Sequence, residues 1–116
     1  MGVMPSDRAS ERVPPPPPRP EVVRDSIRAL ARDSVNIQWR KHAQDRMVER
    51  DITDQMALGV IRTGYVKGEV EPGEQADEWV VKLVLEMRNG REVGVVVSVV
   101  GEVKLRVITV EWEDVR

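Results

Sequence analysis

Apolar residues recur every three or four positions from Glu21 to Ile61, and at every second position from Tyr65 to Trp112. The first period is that of a helix buried on one side, and the second that of a half-buried strand. In the first helix Val23, Ile27, Leu30 and Ala31 share a face, with Arg24, Arg28 and Arg32 together on another. That arginine stripe reads as a solvated face, with contact to phosphate as the alternative. Val35 to Trp39 alternates briefly, as a short strand or an extended link. A second helix is expected over residues 40–50, with Ala43 and Met47 inward. A third starts from Thr53 as N-cap, with Ile52 stapled on Ala57 and with Met56, Ala57, Val60 and Ile61 buried. Gly64 stands where a left-handed residue closes a helix.

The remainder reads as four strands: 65–70, 78–88, 91–100 and 103–112. Pro72-Gly73 and an acidic loop end the first, Asn89-Gly90 is a strong hairpin signal, and Gly101-Glu102 offers another turn. If both hairpin turns hold two residues, Arg88 faces Arg91 and Val100 faces Val103. Trp79, Val81, Leu83, Leu85, Val96, Val100, Val103, Leu105 and Val107 then share the core face. Lys82, Lys104 and Arg106 lie opposite, among Val93, Val95, Val97, Val99 and Ile108. A three-residue bulged turn would instead set that valine row beside Leu83 and Leu85. The two-residue register is preferred because both outer strands then agree. It leaves an apolar second face that a partner, a second copy or a returning segment could cover, so a homodimer through that face is an expectation. The predicted fold is α+β, with N-terminal helices on one face of a four-stranded antiparallel meander sheet.

Residues 1–20 change this picture only at the margin. Pro14 to Pro18 form a run of five prolines, followed by Arg19 and Pro20, so this segment reads as a disordered Pro-rich tail before a single domain over 21–116. The 116 residues suffice for one core, which must be largely aliphatic, with three Trp, one Tyr and no Phe. Cysteine is absent, which excludes disulfides and thiolate chemistry and accords with a cytoplasmic address. No apolar stretch reads as a membrane span or a signal peptide. Net charge is −2, with 11 Lys/Arg against 9 Asp/Glu in residues 1–63 and 7 against 11 in residues 64–116. A site for a polyanion must therefore be local and built by geometry.

The chemistry concentrates on His42, Arg46 and Arg50, which a helix places in one stripe. An imidazole can move a proton near neutral pH, and guanidinium groups bind phosphate through paired N–H donors. The same residues also have structural uses: the histidine on a carbonyl, and the arginines on Glu49, Asp51 or Asp54. One His and no Cys make a zinc site implausible, no calcium-loop spacing or glycine-rich phosphate loop is present, and no cofactor is expected.

The run His42-Ala43-x-x-Arg46-Met47-x-x-Arg50-x-Ile52, followed by an apolar helix and strands ending in Val107-Ile108-Thr109-Val110, resembles domain-of-unknown-function family 4258 over roughly residues 35–113. That family is similar to the RelE-like and BrnT-like toxins of toxin–antitoxin systems. The resemblance implies a RelE-like α+β fold and metal-independent cleavage of RNA, with a cognate antitoxin as protein partner. His42, Arg46 and Arg50 carry over as the catalytic set. Lys82, Lys104, Arg106 and Tyr65 are candidates for RNA contact by their chemistry alone, and Tyr65 or Trp112 could stack on an exposed base. The alternative reading is a non-catalytic protein-binding module of the same fold.

Overall fold

The computed structural model describes residues 16–114. The expectation for the tail therefore lies mostly outside the described residues. Helix α1 spans Pro20–Ala31, with proline in the first turn, where its missing N–H costs nothing. A 3₁₀ turn at Ser34–Asn36 leads into strand β1, Ile37–Trp39. Helices α2 (Lys41–Arg50) and α3 (Asp54–Thr63) follow. Strands β2 (Tyr65–Pro72), β3 (Glu78–Glu86), β4 (Glu92–Val100) and β5 (Lys104–Trp112) complete the chain.

The helices form where the periodicity places them. Val23, Ile27, Ala31, Ala43, Met47, Ala57, Val60 and Ile61 are all buried. Between α2 and α3 the chain turns at Asp51, whose φ of 58° is left-handed and whose N–H bonds back to the Val48 carbonyl. Thr53 Oγ1 then accepts from the Met56 N–H and starts α3. Ile52 and Ala57 are both buried across that cap, as the staple requires. Gly64 does close α3, but its φ is −73° and not left-handed. It must be glycine because a Cβ there would meet the carbonyls of Val60 at 2.6 Å and Val84 at 2.8 Å. Its use is close helix-to-strand approach.

The sheet has five strands in the order β1-β5-β4-β3-β2, and it is mixed. The expected four-stranded antiparallel sheet thus gains β1, which lies parallel to β5 with Ile37 opposite Leu105 and Trp39 opposite Val107. Three residues are too few to establish a period, and their partner lies over sixty positions away.

The preferred register is also corrected. Glu86 pairs with Glu92, Leu83 with Val95 and Val81 with Val97. The first hairpin therefore carries the bulged three-residue turn. Gly90 N–H bonds to the Met87 carbonyl, Gly90 adopts φ 83°, and Met87 N–H bonds to the Arg91 carbonyl. The second turn also holds three residues, since Val100 pairs with Lys104, which leaves Val103 exposed. Val93, Val95, Val97 and Val99 consequently face the helices and are buried, whereas Val96 and Val100 are half-buried on the other face. A register shift between Val96 and Val97, opposite Ile108, returns Val110 to the core side after Leu105 and Val107. The valine row on which an apolar second face rested is thus core.

Helix α1 contacts β2, β4 and β5, α3 contacts β3 and β4, and α2 runs along the edge of β5. Among the described residues, no helix is long and apolar enough to cross a membrane.

Candidate functional site

Helix α2 occupies the length of the β5 edge beyond the end of β1. Arg40 N–H bonds to the Val107 carbonyl, and one helix length later Arg50 Nη1 donates to the Val110 carbonyl at 3.1 Å. In return Trp112 Nε1 donates to the Arg50 carbonyl at 2.7 Å. Arg50 therefore supplies the donor that a neighbouring strand would otherwise offer to this edge. Of the three stripe residues it is the one committed to holding the fold. Arg46 pairs with Glu49 one turn along the same helix, as its structural reading anticipates. His42 stands exposed in the first turn of α2.

On the helix-free face, Lys82 forms ion pairs with Glu111 at 2.7 Å and Glu113 at 2.6 Å, and Lys67 pairs with Glu113 at 2.9 Å. The Glu113 side chain is only 5% exposed. Burial pushes its carboxyl upward, but the two lysines outweigh this and hold it below the ordinary carboxylate value. Burial works against the Lys82 charge too, and its two carboxylate partners more than compensate, so its ammonium is held more firmly than usual. The Lys67 ammonium is likewise raised, chiefly by its bond to Glu113.

Gly94 makes this cluster possible. It lies in mid-strand, where glycine has no intrinsic advantage, and a Cβ there would collide with the Glu113 carboxylate and the Lys82 stem. The cluster borders a groove of about 230 Å³ lined by Arg50, Lys82, Glu111, Trp112 and Glu113. Arg50 and Lys82 are thus the two predicted site residues that share a concavity.

The other candidates are dispersed. The Tyr65 hydroxyl donates to Glu92 at 3.1 Å, and both desolvation and this bond raise its pKa. Lys104 is exposed at the start of β5. Arg106 lies opposite buried Ser98, further along the sheet from Gly94. Near it, Glu78 accepts the N–H groups of Glu74 and Gln75 at 2.9 and 3.1 Å. Burial pushes its carboxyl upward, but these bonds, the neighbouring Ser98 hydroxyl and the Arg106 charge together hold it below the ordinary value. Glu78 thereby anchors the acidic loop. The tryptophans pack against the core, and the Trp112 ring lies under the Arg91 guanidinium at 4.0 Å, so it is not a free platform for a base.

Sequence reasoning passed over Lys67, Glu111 and Glu113. The one signal for them was an isolated glycine in a strand pattern, which marks a close approach to the backbone. Among the described residues there is no cluster of three or more His, Cys, Asp or Glu able to hold a metal.

Residues 39–112 match the family described as a domain of unknown function, DUF4258. That match spans most of the chain, from the last residue of β1 to the last of β5, and the chain belongs to this family. No match was found among curated proteins or among solved structures.

Proposed function

We propose that this chain is a toxin-like, metal-independent RNA endonuclease whose reacting surface is the exposed side of α2. The observation that carries the reading is the placement of His42 on open surface one helical turn from Arg46. In such a reaction the ribose 2′-oxygen attacks the adjacent phosphorus and its proton passes to a base. The bond to the 5′-oxygen breaks, and that oxygen takes up a proton, leaving a 2′,3′-cyclic phosphate and a 5′-hydroxyl. His42 serves one of these proton transfers, and the other proton is exchanged with solvent at this open surface. Arg46 turns from Glu49 to the phosphate and stabilises the charge that builds on it. Arg50 holds the helix that presents both. Such a nuclease acts in the cytoplasm, with RNA as substrate and an antitoxin protein as its restraint.

The test is induced expression in a bacterial host, following growth and bulk RNA. Arrest with RNA loss is expected. His42→Ala and Arg46→Ala should relieve it while leaving far-ultraviolet circular dichroism and melting unchanged. Expression without arrest and without RNA loss would favour the second reading, a non-catalytic protein-binding module. One observation supports that reading: a groove of about 280 Å³ lined by Trp39, Gln44, Met47, Val48, Ile52 and Asp54, with Val48 84% exposed.

A further inference from the structure

Lys67 and Lys82 are directly paired residues of β2 and β3. Like charges in that relationship repel, so the pairing is unfavourable unless an anion lies between them. Glu113, just beyond the end of β5, supplies that anion, with both ammonium groups within 2.9 Å of its carboxylate. Three further features shape the place it occupies. Gly94 provides a floor without a side chain, which any Cβ would fill. Arg50 of α2, one of whose guanidinium nitrogens holds the Val110 carbonyl, lines the groove as a second cation beside Lys82. The groove beside the carboxylate holds about 230 Å³ of open space.

We propose that this groove is a phosphate-binding cradle for an RNA strand, and that the chain keeps it closed with its own Glu113. A carboxylate and a phosphodiester present similar pairs of anionic oxygens to ammonium and guanidinium donors, so either can fill the same clamp. With both glutamates in place, Lys82 and Arg50 are balanced by Glu111 and Glu113, and the groove offers a strand no net attraction. Displacement of Glu113 leaves Lys82 and Arg50 facing the groove with one remaining carboxylate, and removes the partner of Lys67 beside it. This accounts for a protein of net negative charge carrying a local site for a polyanion. The inference rests on the nuclease reading for the identity of the strand, not for the existence of the cradle.

The test is fluorescence anisotropy with a labelled 2′-O-methyl oligouridylate, which has no free 2′-hydroxyl and cannot be cleaved by the proposed route. Glu113→Gln preserves the shape of the side chain and removes its charge. It should bind the probe about tenfold more tightly than wild type at low salt, with a steeper loss of affinity as salt rises. Adding Lys82→Gln should abolish the gain. A folded Glu113→Gln protein that binds no more tightly, or a gain that survives Lys82→Gln, overturns the proposal. If Glu113→Gln does not fold, Glu111→Gln decides the matter. It lies at the more exposed edge of the cluster and should bind about threefold more tightly; unchanged affinity rejects the cradle. Should the gain appear while unmodified oligouridylate stays intact, the cradle stands and the nuclease reading falls.

Discussion

The indole N–H of Trp112 donates to the carbonyl of Arg50 at 2.7 Å, and the Arg50 side chain returns a bond to the carbonyl of Val110, two residues before that tryptophan. This reciprocal pair ties the end of α2 to the otherwise open edge of β5.

Arg50 should therefore behave as a structural residue. Arg50→Ala is expected to lower stability by about 1–2 kcal/mol, and Trp112→Phe by about 1 kcal/mol. The double variant should cost less than the sum of the two, because the residues share one junction. Urea denaturation followed by tryptophan fluorescence and circular dichroism measures all three. An Arg50→Ala protein that melts with wild type would reverse the assignment and return Arg50 to the reacting set.

Acid should unfold the domain in a way that reports on Glu113 and Glu78. Both carboxyls titrate lower in the folded chain than the ordinary value of 4.5. Their contribution is complete above that value and is lost as pH falls through the depressed folded values. The urea midpoint should hold steady near neutrality and drop below about pH 4.5. Glu113→Gln should start from a lower midpoint and show a shallower acid decline. An unchanged decline would mean that Glu113 carries none of it.

Gly94 tests the close packing of the same cluster. Gly94→Ala is expected to cost about 1–3 kcal/mol through collision with Glu113 and the Lys82 stem. Glu113→Ala in that background should recover part of the loss by removing the obstacle. If the two effects simply add, the collision does not account for the cost.

The register of the first hairpin can be read by paired substitutions. Val95→Thr buries a hydroxyl under the helices and should cost about 1–3 kcal/mol, whereas Val96→Thr, half-buried on the opposite face, should stay within about 0.5 kcal/mol. The two-residue turn would reverse that order, and thermal unfolding distinguishes the two.

Much of the architecture was legible along the chain because it is local. The 3.6-residue period at Val23, Ile27 and Ala31 marks a helix wherever it packs. Thr53 caps α3 through a bond to a residue three positions away. The exposure of His42 beside Arg46 follows from helical spacing together with the inward Ala43 and Met47. Hairpin register was not legible: two-residue and three-residue turns at Asn89-Gly90 differ by one position, and both place apolar residues inside. The choice was made by the left-handed Gly90 and by burial of the whole valine row of β4 beneath the helices. Only the tertiary structure decided that Lys67, Lys82 and Glu113 meet. No short-range pattern connects β2 and β3 to the end of β5; the sheet order brings them within ion-pairing distance, and the missing side chain at Gly94 lets them stay there.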